Sequence, residues 1–327
     1  MKHYFLLFLF CITVSIQTSI ISGISGISGT AQDDLQNNLV TSYINFDESL
    51  RTGFSDQEFI TMVANKQQKN ALEFLKKLYE QNSFLTKLGQ QKITPGIPRI
   101  IHQIWLGSEL PERYKKFQES WKKYHPTWEY KLWTDADVKA FKLINQKAYD
   151  KGKNYAEKAN VFRYEILERF GGVYVDTDFE CFRPFDILHD FYEFYTGMAT
   201  INRITLINNG LIASIPGHPI LKTCIKNINK TNYGFGQMGR NGTIYFGYMV
   251  VQACENNVTF DLSKVLILPP TYMYPWPGVG SHKPFQEYIL DSSFAVHYWD
   301  GSWTKTSEFN VTPPAQRKTK LSPKLEI

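Results

Sequence analysis

The sequence predicts an α/β protein built on a layered sheet of nucleotide-binding type, and three observations carry that prediction. Short segments rich in β-branched and aromatic residues alternate with amphipathic helical ones from Ile100 to Asp178. The third such segment, GGVYVDTDFE, ends an apolar run in two carboxylates, Asp176 and Asp178. Hydrophobic residues make up 43% of the 327, with no long charge block, enough for the core of one large or two medium domains.

The chain opens on MKHYFLLFLFCITVSI, a single lysine followed by an apolar run from Tyr4 to Ile16. That run is shorter than the ~20 residues that cross a bilayer. It reads as a secretory signal peptide, with small residues at Gly29 and Ala31 for cleavage, or as an uncleaved anchor reaching Ile21. The first reading places the protein in the secretory pathway or outside the cell; the second makes it a signal-anchored membrane protein, Golgi type II in a eukaryotic host. Membrane association would run through this segment. The ISG triplets behind it are a spacer that completes region 1–31.

Region 32–93 reads as a helical extension. Ser55, with Glu58 three residues on, forms a capping box, and Phe59, Met62, Val63, Leu72, Leu75, Leu78 and Tyr79 recur at helical spacing. Region 94–310 is the sheet domain. RIIHQIWLG, bounded by Pro and Gly, is a buried strand over Ile100–Leu106. Glu112–Tyr124 is a helix with Phe117, Trp121 and Tyr124 on one face, and WEYKLW at Trp128–Trp133 is a second strand. One helix is expected over Asp135–Tyr149 and another over Asn154–Phe170, before the third strand.

Further on, Ile204–Ile215 reads as a strand with a polar interruption, Pro219–Ile228 as a helix, Val265–Leu268 as a strand, and Phe294–His297 as the last strand. NYGFGQMGRNG reads as a loop without the lysine and hydroxyl spacing of a phosphate loop. The Lys- and Pro-rich tail, 311–327, reads as disordered.

Composition narrows the function. The net charge of +5 is spread over basic residues that alternate with acids, as in KKFQESWKKY, which describes solvated helix faces and not a nucleic-acid stripe. If Cys11 leaves with the signal, Cys181, Cys224 and Cys254 remain, without zinc spacing; export would permit one disulfide among them. Sequons occur at Asn229, Asn241, Asn257 and Asn310.

The aspartate pair carries the chemistry. Carboxylates one residue apart on a strand point to the same face and repel each other, and open α/β sheets bind ligands at the carboxyl ends of their strands. A divalent cation, Mn²⁺ or Mg²⁺, would relieve the repulsion and neutralise a diphosphate. Glycines 171 and 172 allow a tight turn, while Val173 and Val175 bury the strand. Arg163, with Asn160 three residues before it on the same helix side, is placed to hold diphosphate oxygens or to salt-bridge Glu157 or Glu168.

IPRIIHQIWLG, YAEKANVFRYEILERFGGVYVDTD, LINNGLIASIPGHP and HYWDGSW, in that order, resemble the motifs of the DXD-type glycosyltransferases of family 32. That group includes Golgi mannosyltransferases, inositol-phosphoceramide mannosyltransferases and α-galactosyltransferases, and is similar in its core to the glucosylating bacterial toxins. The resemblance covers Ile97 to Trp303. It implies a GT-A fold, a Rossmann-like mixed sheet flanked by helices, a nucleotide-sugar donor, a divalent cation and retention of anomeric configuration. By the same resemblance Asp178, Asp176 and His297 would hold the metal. Arg163, Asp176 and Asp178 would be the catalytic set. Ile104, Trp105, Asn160, Arg163, Asp176, Thr177, Asn208, Asn209 and Trp303 would bind the donor, with Trp105 against its base. Asn160 departs from the family, which often carries an acid there; an amide bonds hydroxyls but bears no charge.

The function so predicted is transfer of a hexose from a UDP- or GDP-linked donor to a hydroxyl of a glycan or glycolipid. The alternatives are an inactive lectin-like protein of the same fold and a metal-dependent phosphohydrolase. The second is disfavoured by Phe179, where that chemistry uses Thr or Val.

Overall fold

The computed structural model describes residues 44–301 apart from 56, 60–65, 84–86, 88–90, 95, 202–203, 229, 231, 235, 257–258 and 279–280. The expected signal segment and spacer, the tail, Trp303 and the sequons Asn229, Asn257 and Asn310 lie outside the described residues. Sequon Asn241 lies inside; it is buried and donates to the Glu157 carbonyl at 3.2 Å, so the fold withholds it from glycosylation. Cys181, Cys224 and Cys254 are buried free thiols. Among the described residues no helix is long and apolar enough to cross a membrane.

The architecture is the expected α/β one. In chain order the elements are α1 (Phe46–Arg51), α2 (Lys66–Asn82), β1 (Ile100–Ile104), α3 (Glu112–Tyr124), β2 (Glu129–Trp133), α4 (Asp135–Ala140), α5 (Gln146–Asp150), α6 (Tyr155–Phe170), β3 (Gly172–Val175) and β4 (Phe179–Cys181). There follow α7 (Asp186–Phe191), β5 (Phe194–Ile201), β6 (Ile204–Ser214), α8 (Pro219–Asn227), α9 (Gln237–Arg240), α10 (Thr243–Glu255), β7 (Val265–Leu268), α11 (Pro270–Met273), α12 (Phe285–Tyr288) and β8 (Ala295–His297). Six strands form a mixed sheet of order β2-β1-β3-β6-β5-β7. β1 runs parallel to β2 and β3, β6 antiparallel to β3 and β5, and β7 parallel to β5. β4 and β8 pair antiparallel as a separate ribbon.

The sequence explains the elements that set up the strand ends. Asn154 caps α6 by accepting the Glu157 amide at 2.9 Å, and Gly171, at φ 64°, ends it. Gly172 follows at φ 92°; a Cβ there would lie 2.6 Å from the Ile100 carbonyl, so only glycine lets β3 leave the helix and dock on β1. In α3, Glu112 and the Lys122–Lys123 pair suit the helix dipole, and the buried Trp121 donates to the Phe179 carbonyl at 3.0 Å.

Three expectations are corrected. The helix over Asp135–Tyr149 is two short helices, because Phe141 turns into the core against Trp133 and Phe162. The carboxylate of Glu165 then accepts the amides of Ile144 and Asn145 at 2.6 and 2.7 Å. The Gly-rich stretch expected as a loop contains α9. The two aspartates are not on a strand face: β3 ends at Val175, and Asp176-Thr177-Asp178 is a turn closed by Phe179 N to Asp176 O at 3.2 Å.

The N-terminal helices share one compact unit with the sheet. Ser49 bonds Thr271 at 2.7 Å, Tyr79 donates to Tyr272 at 3.1 Å, and Asn82 donates to the Val265 carbonyl at 2.9 Å. The capping box closes as expected, Ser55 N to Glu58 at 2.9 Å and Glu58 N to Ser55 Oγ at 3.4 Å. Leu78, 5% exposed in α2, is part of this core. Leu78→Ala should therefore lower the stability of the whole domain by about 2–5 kcal/mol. Urea unfolding followed by tryptophan fluorescence checks this; an unchanged main transition would make α2 a dispensable appendage.

Candidate active site

The site is built at the carboxyl end of β3. The turn at Asp176-Thr177-Asp178 leads directly into β4, whose register with β8 sets Phe179 opposite His297. His297 is thereby delivered beside the aspartates from 119 residues away, with Nε2 2.9 Å from Asp178 Oδ1 and 3.9 Å from Asp176 Oδ2. One ligand atom from each of the three residues lies within 4.8 Å of the other two. The backbone holds the turn as well, through Asp176 N to the Gly210 carbonyl at 2.8 Å and Tyr298 N to the Asp178 carbonyl at 3.0 Å.

Charge is balanced by two partners. Arg163 is 4% exposed and places Nη1 3.1 Å from Asp176 Oδ1 and 2.6 Å from the Asn209 carbonyl. Its guanidinium lies 4.3 Å from the centre of the Tyr174 ring, and Tyr174 donates its hydroxyl to the same Asp176 oxygen at 2.7 Å. Arg163 pairs with neither Glu157 nor Glu168; Glu157 is taken by Arg240. Burial alone would strip His297 of its proton, but the charge and hydrogen bond of Asp178 outweigh it and hold the imidazole above its ordinary value. Burial likewise pushes Asp178 up, and His297 with the Asp300 amide outweighs it and leaves the carboxyl below its usual range.

The residues fit a divalent cation. Two carboxylates and an imidazole are ligands for Mn²⁺ and for harder divalent ions. Adjacent ligands at ~2.1 Å around an octahedral ion are about 3.0 Å apart. The His297–Asp178 edge already has that length, at 2.9 Å, and the His297–Asp176 edge needs a modest closure from 3.9 Å. Asp176 Oδ1 is occupied by Arg163 and Tyr174, which leaves Oδ2 turned toward His297.

β6 flanks the turn through an irregularity. Thr196 of β5 pairs with Ile212 and Gly197 with Asn208, so Asn209, Gly210 and Leu211 bulge from the ladder; the polar interruption expected in this strand lies here. The Thr196 hydroxyl bridges the gap by donating to the carbonyls of Asn208 and Leu211 at 3.0 and 2.8 Å. The bulge aims Asn209 between α6 and α10: Nδ2 donates to Asn160 Oδ1 at 2.9 Å, and Oδ1 accepts from the Thr243 hydroxyl of α10 at 3.0 Å. Asn160 in turn donates to Asn241 at 3.3 Å, so its amide is engaged within the protein at both ends. Asn208 accepts from Gly210 N at 2.8 Å and from the Tyr274 hydroxyl at 3.3 Å.

The structure therefore gathers Asn160, Arg163, Asp176, Thr177, Asp178, Asn208, Asn209 and His297 around one turn. Ile104 is 6% exposed at the end of β1, within the core. Trp105 borders a cavity of about 570 Å³ lined also by Ser108, Leu110, Leu132, Thr134 and Asp135. Sequence reasoning passes over Tyr174, Tyr274, Gly210 and Asp300. The first was visible as the polar ring in GGVYVD; the others signal their part only through contacts across the fold.

Two family models match the chain: "Glycosyltransferase sugar-binding region containing DXD motif" over residues 111–195, and "Alpha 1,4-glycosyltransferase conserved region" over residues 213–316. An uncharacterised glycosyltransferase of Acanthamoeba polyphaga mimivirus is 32% identical over 187 residues, covering 55% of this chain and 73% of the relative. A mannosyl phosphorylinositol ceramide synthase of Saccharomyces cerevisiae is 33% identical over 187 residues, and the match spans 54% of this chain but only 47% of that enzyme. Among solved structures, the PaToxG glycosyltransferase superposes with a TM-score of 0.40 at 16% identity, over 61% of this chain and 80% of its own.

A Cβ at Gly210 would lie 2.7 Å from Asp176 Oδ2, the oxygen facing His297. Gly210→Ala should displace that carboxylate and weaken Mn²⁺ binding at least about tenfold, the size of effect typical when ligand support is lost. Titration calorimetry with Mn²⁺, alongside circular dichroism to verify the fold, checks this; unchanged affinity would place Asp176 outside the cation site.

Proposed function

Because the chain belongs to the DXD-type glycosyltransferases of family 32, with the GT-A fold, we propose that it transfers a hexose from a UDP- or GDP-linked donor to a hydroxyl of a glycan or glycolipid, with retention of configuration. The observation that carries the reading is the convergence of Asp176, Asp178 and His297 within 4.8 Å beside the buried Arg163. The names of two yeast relatives, the mannosyl phosphorylinositol ceramide synthase of Saccharomyces cerevisiae and an inositol phosphoceramide mannosyltransferase of Schizosaccharomyces pombe, support a glycolipid as the acceptor.

In this reading Asp176, Asp178 and His297 hold a divalent cation, which supplies charge neutralisation for the donor diphosphate. Arg163 is fixed by Asp176, the Asn209 carbonyl and the Tyr174 ring, and so presents its positive charge without reorganisation as negative charge grows on the leaving diphosphate. The cavity beside Trp105 receives the nucleoside, with the indole as an apolar wall. Asn160 and Asn209 hold each other and keep the backbone carbonyl of Asn209 on Arg163. Same-face attack by the acceptor needs no protein nucleophile, and neither aspartate is free to act as one: one is paired with Arg163, the other with His297. The N-terminal apolar segment would bring the enzyme into the secretory pathway.

The test is nucleotide release from a panel of UDP- and GDP-hexoses with Mn²⁺, with product anomers read by NMR. One donor should turn over. Asp178→Ala should reduce the rate at least about 100-fold, and Arg163→Lys, which keeps the charge but loses the planar fork, by about 10- to 100-fold. A protein that binds sugars yet releases nucleotide from no donor would be lectin-like, and the transferase reading would fall.

A further inference from the structure

The segment after β8 forms a junction that the donor reading leaves unused. The Asp300 amide donates to Asp178 Oδ2 at 2.9 Å. The Asp300 carboxylate accepts from Arg113 at 2.9 Å and from the hydroxyl of Tyr114, both on α3. Burial and the Asp300 carboxylate push the Tyr114 hydroxyl up to about 12, so it remains a proton donor at neutral pH. Tyr114 is 1% exposed, and its ring centre lies 4.9 Å from that of Trp105. Trp105 is a wall of the 570 Å³ cavity. One chain of contacts thus runs from the cavity through Trp105, Tyr114 and Asp300 to a carboxylate of the metal-fitting cluster.

The residue before this junction shows how the segment is held. Trp299 has φ 54° and is the non-glycine residue with positive φ among those described. A bulky side chain adopts that backbone only when its surroundings impose it. Here they do: Trp299 Nε1 donates to the Trp276 carbonyl at 2.9 Å, and its ring lies 4.1 Å from that of His297. Segment 298–300 is therefore kept in place by its contacts, of which the Asp300 carboxylate supplies two, and loosening them releases the amide that orients Asp178.

We propose that Asp300 is a positioning residue that couples the cavity beside Trp105 to the Asp176, Asp178 and His297 cluster, so that a nucleoside seated in the cavity tightens cation binding. The proposal rests on the donor reading. A ligand that fixes the Trp105 indole fixes Tyr114, and through the Asp300 carboxylate the amide on Asp178. Linkage makes the effect reciprocal, so the cation tightens nucleoside binding by the same factor.

The experiment uses the full chain and measures the Mn²⁺ dissociation constant by calorimetry, without and with saturating uridine or guanosine. Nucleoside binding itself is read from tryptophan fluorescence. These probes carry no phosphate to reach the cation. In the wild type the bound nucleoside should tighten Mn²⁺ at least about fivefold, the lower end of ordinary coupling. In Asp300→Asn and in Tyr114→Phe the factor should fall to near one. Tyr114→Phe removes a single oxygen and keeps the ring packing, so it decides the matter even if Asp300→Asn does not fold. A coupling factor of one in the wild type, or one that survives Tyr114→Phe because the ribose touches Asp176 directly, overturns the proposal. If neither nucleoside binds the wild type at all, the donor reading falls and the coupling with it.

Discussion

Two carboxylates held side by side in a turn of a largely buried site must be neutralised, and the surrounding fold is arranged to do it. Asp176 and Asp178 face opposite partners: Arg163 from the preceding helix, and His297 from the far end of the chain. Neither partner comes close by local sequence alone. Arg163 needs α6 to pack along β6, where the Asn209 carbonyl meets it, and His297 needs the β4–β8 ribbon in register. Breaking one partner of a buried pair is costly because the other charge is left uncompensated. The helix, the bulge and the ribbon are thus tied to one electrostatic requirement.

That requirement also accounts for the bulge in β6. A regular strand would pair Asn209–Leu211 with β5; the bulge releases them from it, lets Asn209 reach α6 while Leu211 stays paired with Val175, and opens room at Gly210 for the Asp176 oxygen. The Thr196 hydroxyl keeps two carbonyls of the interrupted stretch bonded, so the irregularity leaves few buried groups unpaired. A tyrosine hydroxyl, a threonine hydroxyl and a glycine hydrogen do here what charge alone could not.

Much of this was legible in the sequence where the determinants are local. β1, α3, β2, α6 and β7 announce themselves by period, caps and breakers, and the aspartates, Arg163 and His297 stand out by chemical type. The rest was hidden for stated reasons. α10 is apolar on most faces, TIYFGYMVVQACE, and a short run of such residues reads as strand as readily as helix. The helix expected over Asp135–Tyr149 breaks because a glutamate in α6 captures two amides, a partner some twenty residues on. Aspartates expected on one strand face converge through a turn instead, reaching the same neighbourhood by a different geometry. Tyr114 carries no signature at all, and Asp300 stands inside HYWDGSW with nothing to mark its part, which depends on where α3 and the segment after β8 meet.

The contacts of the N-terminal helices bear on how the molecule comes into being. Ser49 reaches Thr271 across 222 residues, Tyr79 reaches Tyr272 across 193, and Asp178 awaits His297. Contacts so distant in sequence form slowly, since a long loop must close before any of them contributes. The helices α1 and α2 are therefore among the last of the described elements to find their places. Until β7, α11 and β8 have been synthesised, the core is unfinished and Asp178 lacks its His297 partner, so the stability of this domain and its site arise together.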